Sequence, residues 1–222
     1  MNRVTRAALV VLCASARPAL TFGGDASITF GSDESWTAYA ALPDGTMGAP
    51  LGDALCVCLA NGGCPCCWTG NTGAIPGACW VWKPGTTSAT SPVNLEIMYL
   101  SKTITIPGFP DAGQAYFAAD DFAELRVNGT IARTIGSVTD YGSAAGAQAQ
   151  LTQVDVTPYL LPGANQILVR VQNGPGGFTG HPCDPCSWGE NPTGVILGGT
   201  ISYYAAVPNI RRSWGALKLT YR

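Results

Sequence analysis

Ala118-Ala-Asp-Asp-Phe-Ala-Glu-Leu-Arg-Val-Asn-Gly-Thr-Ile-Ala-Arg-Thr-Ile135 is the stretch that decides the fold. Within it Ala123, Leu125 and Val127 alternate with Glu124 and Arg126. That is the period-two pattern of a strand with one face buried. The strand runs into Asn128-Gly129, a strong short signal for a hairpin, because both residues tolerate the positive φ of a two-residue turn. Thr130–Ile135 is then the return strand.

Working outward, strands are expected at Ala26–Phe30, Trp80–Trp82, Leu95–Ile106, Gln114–Ala119, Leu151–Val156, Asn165–Asn173 and Gly194–Tyr204. Ser32–Ala54 reads as loop, with Trp36 inside it, and residues 136–150 as a loop or short helix. Two long loops remain, at residues 55–79 and 174–193. Short strands at regular spacing point to an antiparallel β-sandwich or jelly roll.

Composition supports an all-β chain. Of 222 residues, 28 are Gly and 16 are Pro, which weaken helix interiors. With 46% hydrophobic and 12% charged residues, the chain has the opposite balance to a disordered one. The formal net charge is -2, but residues 18–210 hold five basic and fourteen acidic groups, a net of -9. The balancing charges are Arg3, Arg6 and Arg17 at one end and Arg211, Arg212, Lys218 and Arg222 at the other. An acidic body repels phosphate backbones, so nucleic acid is not an expected partner.

The N-terminus carries two arginines, the apolar run Ala7–Ala14 and a small-x-small pattern at Ala14-Ser-Ala16. That order reads as a secretory signal over residues 1–16. The run is too short to span a bilayer. Cysteine usage agrees with export. There are nine, and losing Cys13 with the signal leaves Cys56, Cys58, Cys64, Cys66, Cys67, Cys79, Cys183 and Cys186, enough for four disulfides. Six crowd into the loop at 56–79, where cross-links would replace a core. Zinc ligation is the competing reading, but the spacings are not paired Cys-x₂-Cys knuckles. The pairings stay open.

Several residues are candidates for binding. Trp36, Trp68 and Trp188 have the large, rigid, amphipathic faces that stack on sugar rings, whereas Trp80 reads as core. Asn173, Asn191 and the lone histidine, His181, are candidate polar contacts. Asp120-Asp121 is a candidate hard-cation site, with a capped turn as the other reading. No Gly-x-Ser-x-Gly elbow and no Gly-rich phosphate loop with Lys occurs. Asp120, Asp121 and Glu124 read as turn residues, not as a glycosidase pair. The chain is therefore not expected to be an enzyme.

Four segments carry a family resemblance: Ala118–Gly129, Val154-Asp-Val-Thr-Pro-Tyr-Leu-Leu-Pro-Gly-Ala-Asn165, Ile167–Asn173 and Asn191-Pro-Thr-Gly-Val195. In this order they resemble the galactose-binding-domain-like jelly-roll modules of secreted bacterial proteins, and are similar to the sugar-binding domain of family-two glycosidases. The likeness spans about residues 26–204; Ser35-Trp36 and Pro76–Trp82 resemble the same modules. It implies a galactose-binding-like β-sandwich over residues 24–204, followed by a basic tail at 205–222. It also implies a structural Ca²⁺. The functional expectation is a secreted or cell-surface module that binds a glycan or cell-surface polysaccharide through rim loops. The alternative is a structural surface, filament or virion protein that self-associates through its terminal segments. There Ala216–Arg222 alternates, with Leu217, Leu219 and Tyr221 on one face.

Overall fold

The Asn-Gly hairpin forms as its pattern requires. Asn128 and Gly129 take φ of 51° and 82°, and β8 (Phe122–Val127) pairs antiparallel with β9 (Thr130–Gly136). In β8, Ala123, Leu125 and Val127 are buried while their neighbours are half-exposed. The computed structural model describes residues 25–64, 68, 71, 73–87, 92–175 and 191–205.

Two antiparallel sheets make a jelly-roll sandwich. One has the order β3-β2-β6-β11-β8-β9, with β3 Met47–Asp53, β2 Thr37–Ala41, β6 Ile97–Ile106 and β11 Gly163–Gln172. The other has the order β10-β7-β12-β5-β4, with β10 Thr152–Asp155, β7 Gly108–Asp120, β12 Gly194–Ala205, β5 Val81–Trp82 and β4 Leu55–Cys56. Strand β1 (Asp25–Gly31) also pairs with β12, so β1 and β5 share that flank end to end. Helix α1 is one turn, Val57–Ala60; α2 is Tyr141–Ala149, opened by Asp140, whose carboxylate accepts from Ser143 N at 3.2 Å.

The core lies between the sheets. Met98, Leu100, Phe117, Leu125, Ile167, Val169, Ile196 and Leu197 are buried in one contiguous apolar cluster with Trp36, Trp68, Trp80 and Trp82. Each large side chain taken from water contributes on the order of 2 kcal/mol. Trp68 stacks on Trp80 with centroids 4.4 Å apart and planes 17° from parallel. Gly194 lies close beneath them: a Cβ there would come to 3.1 Å from Trp68 Cη2, and the ring would have to yield by a few tenths of an ångström.

Two sequence expectations are corrected. Ser32–Ala54 is not a loop: it contains the β2–β3 hairpin, turned by Leu42-Pro-Asp-Gly-Thr46. Asp44 Oδ1 accepts from Thr46 N at 3.0 Å and Thr46 Oγ1 at 2.7 Å, and Gly45 supplies φ of 80°. The loop beginning at residue 55 opens with β4 and α1, because two staples fix it. These are Cys56–Cys79 and Cys58–Cys64. Cys13, Cys66, Cys67, Cys183 and Cys186 lie outside the described residues, as do the signal-like segment and the basic tail. Among the described residues, no helix is long and apolar enough to cross a membrane.

Candidate functional site

One end of the sandwich gathers most of the residues singled out in the sequence. Strand β7 ends at Asp120 and β8 begins after Asp121, joined by a cis peptide. Both aspartates are 4% exposed. Asp120 accepts from Trp68 Nε1 at 2.9 Å and from Gln148 Nε2, and its backbone carbonyl accepts from Thr193 Oγ1 at 2.5 Å. Asp121 accepts from Gly174 N at 2.6 Å and Gln148 Nε2 at 3.3 Å, and its carbonyl accepts from Ser137 N at 3.2 Å. The pair thus clasps the cysteine loop, α2 and both ends of the 174–193 loop.

Burial raises the Asp120 carboxyl well above its ordinary 3.8, and the charge of Asp121 and the hydrogen bond between the two acids push it further. Two carboxylates this close and this dry share a proton instead of ionising together. The same geometry tests the calcium expectation. A Ca²⁺ ion needs six to eight oxygen ligands turned toward one point. Here the carboxylate oxygens face N–H donors and both backbone carbonyls are occupied. Among the described residues no third acidic, Cys or His side chain joins the pair in a metal-binding group. The arrangement fits a hydrogen-bonded acid pair and does not fit calcium.

The candidate binding residues are placed differently from what stacking on a ligand requires. Trp36 is 1% exposed and Trp68 is fully buried. Trp36 Nε1 donates to Gly31 O at 2.8 Å, and Lys102 Nζ sits 6.0 Å above its ring. Neither ring presents a face to a ligand, because hydrophobic burial of an indole outweighs leaving it on a rim. Asn173 is buried, its Nδ2 donating to Val93 O at 3.0 Å; its Oδ1 has no partner among the described residues. Asn191 is half-buried and donates to Asn94 Oδ1 at 2.8 Å and Gly174 O at 3.1 Å. Both asparagines pin residues 93–94 to the end of β11. Trp188 and His181 lie outside the described residues.

Beside this pinned segment is a groove that the sequence reading missed. It encloses about 430 Å³. Leu42, Leu51, Leu95 and Met98 form an apolar wall, and Lys83 and Glu96 meet across one side as an ion pair. Leu42, Leu51 and Leu95 are about half-exposed. They are uncovered because β2 and β3 extend their own sheet past the two-residue strands β4 and β5 of the other. An apolar wall with a few fixed polar groups is the usual make-up of a ligand site. The available signal was the pair of leucines flanking the Pro-Asp-Gly turn.

No protein-family model matches the sequence, and no curated protein matches it. Among solved structures, the chain is similar to a family 35 carbohydrate binding module from Clostridium thermocellum, at 14% identity and a TM-score of 0.38, over 79% of this chain and 97% of that one. It is similar to a β-glucuronidase from Ruminococcus gnavus, at 9% identity and a TM-score of 0.46, over 79% of this chain. An α-L-rhamnosidase from Streptomyces avermitilis is similar at 14% identity and a TM-score of 0.40, over 81% of this chain. The chain spans 28% and 15% of those two enzyme chains.

Proposed function

We propose that the chain is an extracellular, non-catalytic carbohydrate-binding sandwich whose ligand lies in the groove between the β2–β3 hairpin and residues 95–98. The observation that carries this reading is the groove itself: apolar side chains for the C–H face of a sugar, beside a Lys83–Glu96 pair that can donate to and accept from hydroxyls. Burial of the acid pair supports the non-catalytic part, since Asp120 and Asp121 are each 4% exposed and their carboxyl oxygens are taken up by the N–H groups of Trp68, Gln148 and Gly174. The two disulfides support an oxidising compartment.

The test is a glycan array and polysaccharide pull-down with the wild-type chain and with Lys83→Ala/Glu96→Ala. A half-exposed ion pair contributes about 0–1 kcal/mol to stability, so the variant stays folded. Binding by the wild type that falls at least about tenfold in the variant supports the site. Wild-type binding that the variant retains moves the site elsewhere, and no wild-type binding to any glycan overturns the function.

A further inference from the structure

The sheet ordered β3-β2-β6-β11-β8-β9 has two open edges, β3 and β9, and the exposed charges on those two strands are opposite, Asp53 on β3 and Arg133 on β9. No Lys or Arg occurs from residue 31 to residue 82, so the β2–β3 hairpin and the turn before it carry only acids of their own, Glu34, Asp44 and Asp53, all exposed; the two lysines nearby are engaged, Lys83 by Glu96 and Lys102 by Asp33. Toward the other edge lie three of the five basic residues found between residues 18 and 210: Arg133 on the edge strand β9 itself, Arg126 on β8 beside it and Arg170 on β11, the third strand in. Glu124 takes Arg126 as its ion-pair partner at 2.6 Å. Arg133 is exposed, and neither it nor Arg170 has a carboxylate within ion-pair distance among the described residues. Arg170 is held instead 5.3 Å over the Phe122 ring and by Gln172 at 3.0 Å. Asp140 is the one acid just beyond β9, and its carboxylate is engaged by Ser143.

Each edge also exposes apolar side chains. Met47 and Leu51 on β3 are 39% and 45% exposed, and Ile131 on β9 is 48% exposed. The end of β9 at Ile135–Gly136 is covered by α2, which leaves Thr130–Thr134 open. Natural sheets use charge on open edges to prevent pairing with a neighbour. Like charges on both edges would do so here. Opposite charges forbid β3 from meeting β3, and β9 from meeting β9, yet favour β9 of one copy beside β3 of the next.

We propose that this protein self-associates head to tail, with the Arg133 edge of one copy against the Asp53 edge of a second copy. The two surfaces differ, so the contact does not close on itself as a two-fold dimer does, and it adds copies in a row. Pro50 and two register shifts break the β3 ladder, so side-chain charge and the exposed Met47, Leu51 and Ile131 make most of the contact. Leu51 belongs both to this contact and to the groove wall, but the charge pairing that drives the contact does not rest on sugar binding.

The experiment is sedimentation and light scattering of the full chain over a concentration series, in about 0.01 M and about 1 M salt, where the screening length is about 30 Å and 3 Å. The expected result is mass that grows with concentration at low salt and falls at high salt. Arg133→Glu and Asp53→Lys each weaken association at least about tenfold. Mixed in equal amounts, the two variants associate again, because each supplies the charge the other lacks. A wild type that stays monomeric at low salt overturns the proposal. So does assembly insensitive to salt and to both substitutions, and so do two weakened variants that fail to recombine.

Discussion

The Trp68 indole donates its N–H to the buried Asp120 carboxyl at 2.9 Å, fastening the disulfide-stapled loop to the end of β7. The same ring stacks on Trp80. Trp68→Phe keeps much of the stacking surface and removes the donor, leaving an Asp120 oxygen buried without it. The expected cost is about 1–3 kcal/mol. Trp68→Ala also opens a cavity, and the expected cost rises to about 3–5 kcal/mol. Chemical denaturation of the three proteins measures both steps; equal stability of the wild type and the Phe variant would show that the hydrogen bond adds nothing.

The acid pair makes stability depend on pH in a direction unusual for aspartate. Asp120 holds its proton more tightly folded than unfolded, through burial first and then through Asp121. Its contribution is fully present below pH 3.8 and is lost as pH rises from there through the raised folded value. The slope is at most about 1.4 kcal/mol per pH unit for one proton. Asp44, Asp140 and Asp155 act the other way, because Thr46, Ser143 and Thr157 hydrogen-bond their ionised forms and hold them below the ordinary range. Their contribution is present above 3.8 and disappears as pH falls through their lowered values. Asp120→Asn has no proton to lose there. Thermal denaturation across pH is expected to show the wild type losing stability above 3.8 and the variant staying flat; parallel curves contradict the shared proton.

The two staples differ in what they constrain. Cys56–Cys79 closes a loop with a sequence separation of 23, and Cys58–Cys64 one with a separation of 6. Loop entropy predicts about 3 kcal/mol for the first and about 2 kcal/mol for the second. Paired Cys→Ala variants, unfolded in guanidinium, are expected to rank in that order. The reverse order would show that the short staple holds α1 and β4 in ways loop length does not describe.

The strands that alternate strongly were readable, and the hairpin at Asn128-Gly129 fixed the register of β8 against β9. The β2–β3 hairpin was not read, because Met-Gly-Ala-Pro-Leu-Gly-Asp over residues 47–53 has few β-branched or aromatic residues. Its turn was legible all the same, since Pro-Asp-Gly between two runs names a turn by its chemistry. The tryptophans misled for a physical reason. A Trp in an irregular loop looks available to a ligand, but Trp68 is buried, stacked on Trp80 and bonded to Asp120. The acid pair was legible as a pair; that its surroundings would be N–H donors and not carbonyls depended on Trp68, Gln148 and Gly174, distant in sequence.

Asn128 and Asn165 form a polar knot at the far end of the same hairpin. Asn128 Nδ2 donates to Asn165 Oδ1 and to Tyr159 O, both at 2.9 Å, while Asn128 Oδ1 accepts from Gln166 N at 2.9 Å. Asn165 is fully buried and in turn donates to Leu161 O at 2.7 Å and Gly163 O at 2.9 Å. Between them they join the β8–β9 turn to the turn before β11. Asn128→Ala loses these bonds and places a Cβ residue without local hydrogen bonding at φ of 51°. Asn128→Asp keeps the shape but turns an oxygen toward Tyr159 O. Each is expected to cost about 2–4 kcal/mol, at the upper end for Asp above its pKa, where an acceptor faces an acceptor. Combined with Asn165→Ala, the Asn128→Ala change is expected to cost less than the two singles together, by about 0.5–3 kcal/mol, because both remove one shared network. Strict additivity in a denaturant double-mutant cycle would show the two asparagines acting separately, each on its own turn.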